Sequence, residues 1–310
     1  MTTSIIRTKD AWWVLVDSGA VRIDTAATTT AELLNDRAAI RAAASATPGP
    51  VPDDLLSPVT APCRVVAQMT NYVSHIKDSG MNPATVPLTF FRKTSHSIAG
   101  PVDDIIRPAH VKLLDYEVEI GLVIGKDLPV GTTITEDNIS EYVAGLVVTN
   151  DVSARDLQLP KTQFFEGKSY PTFTPVGPRL VLLEEADWRR FGDLRLRTWV
   201  NGEVRQDSTV ADMLFKPVET FGTLTGFQPL AAGDLLLTGT PGGTALKAPP
   251  KPIEMIGALL PPAMKWKAFF KGQGKNPLYL QDGDVVELHI GTADGAIDLG
   301  RQANTVRRAG

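Results

Sequence analysis

Three acidic residues alternate with apolar ones in the stretch LDYEVEIGLVIG, which runs from Leu114 to Gly125. Because successive side chains of a β-strand point to opposite faces, Asp115, Glu117 and Glu119 are expected to share one face. Carboxylates on one face repel one another unless a cation or a hydrogen-bond network compensates them. Ligation by oxygen alone suits a hard divalent ion such as Mg²⁺ or Mn²⁺. The alternative is an edge strand whose acids lie in water.

Other residues with suitable chemistry lie at the ends of predicted elements. A buried strand is predicted to deliver Asn150 and Asp151 at its end, where rigid scaffolds present functional groups, although Asp151 could equally cap the next turn. His75 and Asp78 are three residues apart, so on a helical turn the carboxylate could orient the imidazole. A surface or hydrogen-bonded core histidine is the alternative. Lys168 lies in a loop rich in aromatic residues and prolines and is a candidate for a directed role, with an exposed loop lysine as the alternative.

Composition places the chain among ordinary globular proteins of one or two domains. It has 310 residues, of which 43% are hydrophobic and 21% are charged. The net charge of −4 argues against binding to nucleic acid or to an anionic membrane surface, and no apolar run approaches the length of a membrane span. The single cysteine, Cys63, excludes an intrachain disulfide and is predicted to be a core thiol. A reducing, cytoplasmic setting is therefore expected.

The pattern of elements predicts a boundary near residue 60. Short strands are expected over residues 4–24, followed by one helix over residues 30–46. Residues 47–63 are too rich in proline for regular structure, so a small N-terminal subdomain is predicted for residues 1–60 and a main domain for residues 61–310. Within the main domain, residues 246–280 are predicted to be a long irregular insertion. The basic pair of Arg92 and Lys93 is a candidate for anion contact, although solvated side chains are the expected state for such a pair.

Seven motifs together resemble the fumarylacetoacetate hydrolase (FAH) family, and they stand in that family's order. They are TNYVSH, FFRK, DYEVEI, NDVSARDLQ, GKS, VNGE and GDLLLTGTPGG, and they cover about residues 63–245, with the closing strands in addition. The resemblance implies an α+β, mostly β fold, namely the mixed β-sheet roll of the family's catalytic domain with a small N-terminal α/β subdomain. It also implies a homodimer.

The resemblance implies three groups of site residues. The metal ligands would be Glu117, Glu119 and Asp151, which bind Mg²⁺ or Mn²⁺ in most members and calcium in some. The catalytic residues would be His75, Asp78 and Lys168, with aspartate at position 78 where many smaller members have glutamate. The substrate would contact Tyr72, Arg155, Gln158 and Thr240.

The function that the resemblance implies is metal-assisted hydrolysis of a carbon–carbon bond in a small β-diketone or acylpyruvate-type acid. His75 would deprotonate water, while Lys168 and Gln158 would stabilise developing negative charge. The alternative on the same scaffold is a decarboxylase, isomerase or hydratase acting on a 2-oxo acid such as oxaloacetate. A non-catalytic metal-binding module is a third hypothesis. The aromatic residues Trp266 and Phe269 of the insertion, together with Phe270, are expected to cover the site or to form the dimer interface.

Overall fold

The computed structural model describes residues 2–161, 163–250, 252–253, 255 and 259–310. Its strands are β1 Thr3–Arg7, β2 Trp12–Val16, β3 Gly19–Arg22, β4 Val65–Met69, β5 Thr89–Lys93, β6 Ile98–Ala99, β7 Ile105–Arg107, β8 Leu114–Asp115, β9 Val118–Ile124, β10 Val143–Asn150, β11 Ser153–Ala154, β12 Thr174–Pro175, β13 Leu180–Leu182, β14 Arg195–Val200, β15 Glu203–Thr209, β16 Leu235–Leu237, β17 Val285–Gly291 and β18 Asp298–Arg308.

The described helices are short, apart from one of twelve residues near the C-terminus. They are α1 Thr30–Asn35, α2 Arg37–Ala44, α3 Val73–Asp78, α4 Ile139–Tyr142, α5 Arg155–Gln158, α6 Phe165–Lys168, α7 Glu185–Trp188, α8 Pro217–Leu224 and α9 Pro262–Gln273. Single 3-10 turns occur at Ser95–Ser97, Phe191–Asp193 and Val210–Asp212. The content is therefore mostly β, as predicted.

Two sheets contain most of the strands. Nine strands form a mixed sheet in the order β3-β2-β1-β13-β10-β9-β16-β4-β5, and five form a second sheet in the order β15-β14-β17-β18-β7. The hairpin of β14 and β15 turns at Asn201 and Gly202, a residue pair typical of such turns, and both residues have positive φ. In the large sheet β9 lies at the centre, antiparallel to β10 on one side and to β16 on the other.

The two faces of β9 pack into two separate hydrophobic cores. Val118, Ile120 and Leu122 pack into a large cluster that also contains side chains of the five-stranded sheet. Val123, on the opposite face, packs into a second cluster with the N-terminal helices, for example with Leu33. The large sheet is therefore the middle layer of the molecule, and burial of both its faces explains why β9 is almost wholly apolar beyond its acidic end.

The N-terminal region differs in detail from its prediction. The strands over residues 4–24 form as expected, and β1 pairs with β13 of the main domain. The single predicted helix is interrupted at Asp36, because its side chain accepts a hydrogen bond from the N–H of Ala39 and so starts a new helix. The first helix begins with a capping box between Thr29 and Glu32. The division at residue 60 stays a prediction.

The segment 246–280 was predicted to be irregular, and this is wrong for its second half. Helix α9 occupies Pro262–Gln273. Its sequence contains three lysines, two alanines and one methionine, which favour helices, and Pro262 is at the first turn, where proline is well tolerated. No helix in the described part of the chain is long and apolar enough to cross a membrane.

Burial raises the pKa of the Cys63 thiol to about 12, in keeping with an unreactive cysteine.

Candidate active site

The carboxylates of Glu117, Glu119 and Asp151 converge, and one oxygen of each lies within 4.8 Å of the others. The pairing of β9 with β10 brings them together, since Thr149 lies opposite Glu119. The N–H of Asp151 donates to the carbonyl of Glu117 at 2.9 Å, and the N–H of Glu117 donates to the side chain of Asn150 at 3.0 Å. The structure thus assembles the three residues predicted to hold a metal.

These acids do not lie on a solvated edge. Glu117, Glu119 and Asp151 are only 3%, 1% and 1% exposed, and β9 has a neighbouring strand on each side. The alternative of an acidic strand edge in water is therefore wrong. Buried carboxylates at such short range require compensating charge.

Basic side chains supply part of that charge. Lys168, on α6, donates through Nζ to Glu117 at 2.7 Å and to Asp151 as well. Burial alone would lower the pKa of Lys168, but the carboxylates of Asp151 and Glu117 outweigh it and raise the pKa, so the ammonium stays charged. The lysine predicted to be catalytic is therefore a direct partner of two predicted metal ligands. The ammonium has three N–H groups, and a third remains for a ligand.

Lys93 is a site residue that sequence reasoning missed. It was interpreted as solvated, but it is 3% exposed and its Nζ forms an ion pair with Asp151. The ammonium also donates to the carbonyl of Phe173 at 2.9 Å. Burial lowers the pKa of Lys93, and Asp151 counters part of that effect. Lys93 is the last residue of β5 and points inward, whereas its neighbour Arg92 is exposed. A period-two assignment of this strand is the signal that could have separated them.

Asp115, to which the family resemblance assigns no role, holds Arg155 in place next to the carboxylates. Its carboxylate accepts from Arg155 Nε at 2.8 Å and from the N–H groups of Ala245 and Leu246 at 2.8 and 3.1 Å. Arg155 also forms an ion pair with Glu117. The pKa of Arg155 is raised, because Glu117 and Asp115 together outweigh the effect of burial. Arg155 therefore orients a predicted metal ligand.

Gln158 follows Arg155 by one helical turn and lines the cavity. Its amide oxygen accepts from Arg155 Nη1 at 2.8 Å. The group that Gln158 can offer to a ligand is therefore its NH₂ donor.

The charges of the site suit a divalent cation. Four buried acids, namely the three converging carboxylates and Asp115, face three buried cations. Glu119 is the least compensated acid, since the described residues give it one hydrogen bond, from the N–H of Gly239 at 2.7 Å. Burial, followed by the charges of Asp151 and Glu117, raises the pKa of Glu119 well above its usual value. A set of carboxylate oxygens with negative charge in excess is what a hard divalent ion binds.

His75 lies on α3 and lines the same cavity as the carboxylates. Burial lowers the pKa of His75, Glu117 raises it in part, and Arg155 lowers it further, so the imidazole is neutral near pH 7. Its Nδ1 is buried and has no hydrogen-bond partner among the described residues. A neutral imidazole at the cavity wall can accept a proton from a bound molecule.

Asp78, at the end of the same helix, is bonded elsewhere. Its Oδ2 accepts from the N–H of Gly243 at 3.1 Å. No hydrogen bond joins Asp78 to His75 within the described residues, so its orienting role stays a prediction. The start of the helix is held by Asp212, which accepts from the N–H of Ser74 at 3.2 Å. This contact, rather than Asp78, fixes the position of the helix that carries His75.

Of the other predicted substrate contacts, one reaches the cavity and one does not. Thr240 lines it, and its hydroxyl donates to the carbonyl of Val118 at 2.9 Å and accepts from Gln206 at 2.8 Å. Gln206, which sequence reasoning missed, also accepts from the N–H of Val118 and so ties β15 to the acidic strand. Tyr72 is fully buried in the core and does not reach the cavity wall that the described residues form.

The cavity has a volume of about 700 Å³, with the carboxylates among its lining residues. Side chains of the described residues between 246 and 273 form much of the remaining wall, including Trp266 and Phe269. Of the two roles predicted for this segment, the structure favours a cover for the site. A role in a dimer interface stays a prediction.

Comparisons with known proteins agree with this geometry. The sequence profile described as "Fumarylacetoacetate (FAA) hydrolase C-terminal" matches residues 64–307. "Oxaloacetate tautomerase Fahd2a, mitochondrial" of Rattus norvegicus is 40% identical over 198 residues, which are 63% of this chain and 61% of that protein. A "Fumarylacetoacetate hydrolase domain-containing protein 2 homolog" of Dictyostelium discoideum is 32% identical over 79% of this chain and 72% of its own length. The chain thus spans about three fifths of the rat relative.

Solved structures resemble the whole chain. A fumarylacetoacetate hydrolase of Exiguobacterium antarcticum has a TM-score of 0.74 at 29% identity, and all of each chain is covered. A 5-carboxymethyl-2-hydroxymuconate delta-isomerase of Mycobacterium smegmatis has a TM-score of 0.68 at 26% identity with the same coverage. These neighbours confirm the predicted fold class.

Proposed function

Since the chain belongs to the fumarylacetoacetate hydrolase family, we propose that it is a divalent-metal-dependent enzyme that interconverts the keto and enol forms, or the double-bond isomers, of a 2-oxo acid. The observation that carries this proposal is the buried set of Glu117, Glu119 and Asp151, with Lys168 beside it and the neutral His75 on the same cavity wall. Relatives named as oxaloacetate tautomerase and as isomerase support proton transfer over bond hydrolysis.

The carboxylates of Glu117, Glu119 and Asp151 would hold the ion, with Mg²⁺ or Mn²⁺ as the preferred species. When bound, the ion would supply Lewis-acid polarisation of the two adjacent oxygens of a 2-oxo acid. His75 takes the proton from the carbon next to the carbonyl, which its neutral state allows. The third N–H of Lys168 and the NH₂ group of Gln158 donate to the oxygen on which negative charge develops. Return of a proton to that oxygen completes the enol.

Hydrolysis of a carbon–carbon bond is the second candidate. The solved neighbour named as a hydrolase favours it, and the cavity has room for a water molecule beside a longer keto acid. Hydrolysis additionally requires an activated water, and an acid that orients His75 would assist this step. Because Asp78 bonds to Gly243 instead, proton transfer at carbon is the simpler reaction for this geometry. A homodimer and a cytoplasmic location remain further predictions.

The test is an assay of the Mg²⁺- and Mn²⁺-loaded protein on enolic oxaloacetate and on acylpyruvates. Loss of enol absorbance reports tautomerisation, and chromatography of the products reports cleavage. The substitution His75→Gln should reduce the enzymatic rate by about 10²-fold or more, because general base catalysis contributes about that factor. The control is His96→Gln, since His96 is exposed and lies outside the cavity lining.

Two results would contradict the proposal. One is the absence of any acceleration by the metal-loaded protein on both substrate classes. The other is full activity in Glu117→Gln under conditions where the variant no longer binds Mn²⁺. Cleavage products that accumulate as fast as the enol disappears would favour the hydrolase candidate instead.

A further inference from the structure

The cavity has two ends of different chemistry. The inner end presents the carboxylates with Lys168 and Gln158. The outer end, where the lining residues are partly or fully exposed, is walled largely by apolar side chains, among them Phe164, Ile253, Trp266 and Phe269. A ligand that fills both ends must therefore be polar and chelating at one end and apolar at the other.

The cavity is too large for the smallest acids of the proposed class. Its volume is about 700 Å³. A four-carbon oxo diacid such as oxaloacetate has roughly nine non-hydrogen atoms, and even if each took the roughly 30 Å³ that a water molecule occupies in the liquid, the acid would fill at most about 270 Å³. Well over half of the space would then hold water against an apolar wall, which costs free energy relative to filling it with an apolar group.

The aromatic part of this wall is available to a ligand. Helix α9 contains no buried residue, and of its three aromatic side chains only Phe270 packs against the core. Trp266 stacks on Phe270 with ring centroids 5.6 Å apart and meets Phe269 edge-on at 5.8 Å. This arrangement presents a preformed apolar surface to the cavity instead of collapsing into the protein.

The rim of the outer end is basic. The sequence from 246 to 280 contains six lysines and one glutamate in a chain whose net charge is −4. Of these lysines, Lys247 and Lys265 line the cavity and are exposed. Positive charge at the mouth of a cleft draws anions toward it. The rim therefore suits a carboxylate ligand, while the wall behind it suits an apolar body.

We propose that residues 246–250 and 259–273, together with Ile253, form the specificity element of the enzyme and bind a large apolar substituent of the substrate. The preferred substrates are then 2-oxo acids with an alkyl or aryl tail of roughly six or more carbons, rather than oxaloacetate itself. The inference rests on the proposed function, because the oxo acid head must lie at the carboxylates while the tail extends along Trp266 and Phe269.

Unreactive head-group mimics test the tail separately from the chemistry. Oxamate keeps two adjacent oxygens, and N-butyl, N-hexyl and N-phenyl oxamates add tails of increasing size. Their dissociation constants are measured by calorimetry with the Mg²⁺-loaded full chain. Burial of each methylene should tighten binding by roughly threefold to fourfold. After the cost of ordering the tail, N-hexyl oxamate should bind at least about 30-fold more tightly than oxamate.

The substitution Trp266→Ala should bring the ratio of the dissociation constants of oxamate and N-hexyl oxamate toward one. Phe269→Ala is a second variant on the same wall. The control is Phe227→Ala, since Phe227 is 62% exposed and lies outside this cavity lining. Equal binding of all four mimics, or a ratio that both wall variants leave unchanged, would overturn the inference alone. Failure of oxamate and of every tailed mimic to bind the loaded protein would overturn the proposed function with it.

Discussion

Asp115 is predicted to be the most sensitive buried acid of the site, although it touches no substrate. It is completely buried and faces the guanidinium of Arg155 at 2.8 Å. It also accepts hydrogen bonds from the N–H groups of Tyr116, Ala245 and Leu246. The substitution Asp115→Asn keeps the shape of the side chain but removes its charge and turns one acceptor into a donor.

The cost of this substitution follows from these contacts. Removing one partner of a buried ion pair costs about 3–5 kcal/mol, because the other charge stays buried without compensation. The new NH₂ group faces N–H donors, and each buried polar group left without a partner costs about 1–3 kcal/mol. The two terms overlap, since Arg155 keeps its ion pair with Glu117. We expect Asp115→Asn to lower the free energy of unfolding by about 3–5 kcal/mol.

Urea unfolding monitored by circular dichroism, with a chelator present, measures this difference without a contribution from bound metal. The matched control is Asp156→Asn. Among the described residues, Asp156 accepts only from the N–H groups of Lys112 and Leu113, and it is partly exposed, so its loss should cost about 1 kcal/mol. If Asp115→Asn were destabilised no more than this control, the argument that Asp115 compensates Arg155 would be refuted.

Three further predictions concern the remaining partners of the carboxylates. Burial raises the pKa of Glu119, so the metal-free fold is more stable when this carboxyl is protonated. This contribution to the free energy of unfolding is fully present below about pH 4.5, and it is lost as the pH rises through the raised pKa. At pH values between about 4.5 and the raised pKa, Mn²⁺ binding measured by calorimetry in two buffers should therefore release a proton in the wild type, and this release should be absent in Glu119→Gln. Lys93→Met should lower metal-free stability in urea by about 1–3 kcal/mol, with exposed Arg92→Met as a control that should show no loss. Gly239→Ala should cost about 1–3 kcal/mol, because residue 239 has φ +82° and a Cβ there would lie 2.8 Å from that of Asn71; a thermal midpoint equal to wild type would contradict this.

The sequence predicted the acidic part of the site because its signal is local. The alternation of Glu117 and Glu119 within one strand and the position of Asp151 at the end of another are short-range patterns, and they needed only the pairing of the two strands to converge. The motif order added Lys168 and His75. The hairpin turn at residues 201–202 was predictable for the same reason, since turn chemistry depends on two adjacent residues.

Two features that the local sequence did not predict, the burial of Lys93 and the hydrogen bond of Asp78, depend on contacts between distant residues. Lys93 and Asp151 are 58 positions apart, and nothing in the local sequence FFRK indicates that its lysine is buried. Asp78 and Gly243 are 165 positions apart, so the spacing of His75 and Asp78 predicted a pair that the fold does not join by a hydrogen bond. The helix at Pro262–Gln273 was not predicted, because the prolines before it are typical of irregular structure. Proline is also common at the first turn of a helix, as it is here.

The charges of the site explain why His75 should be neutral for proton transfer. With the acids ionised, four negative charges face three positive ones, and a bound divalent ion would turn this excess of one negative charge into an excess of one positive charge. The carboxylate of a 2-oxo acid then brings the site to neutrality before the reaction begins. A protonated His75 would add a further positive charge in a buried place, and burial disfavours that form, as the lowered pKa of His75 shows. The same electrostatic arrangement therefore favours both substrate binding and a neutral His75 that can accept a proton.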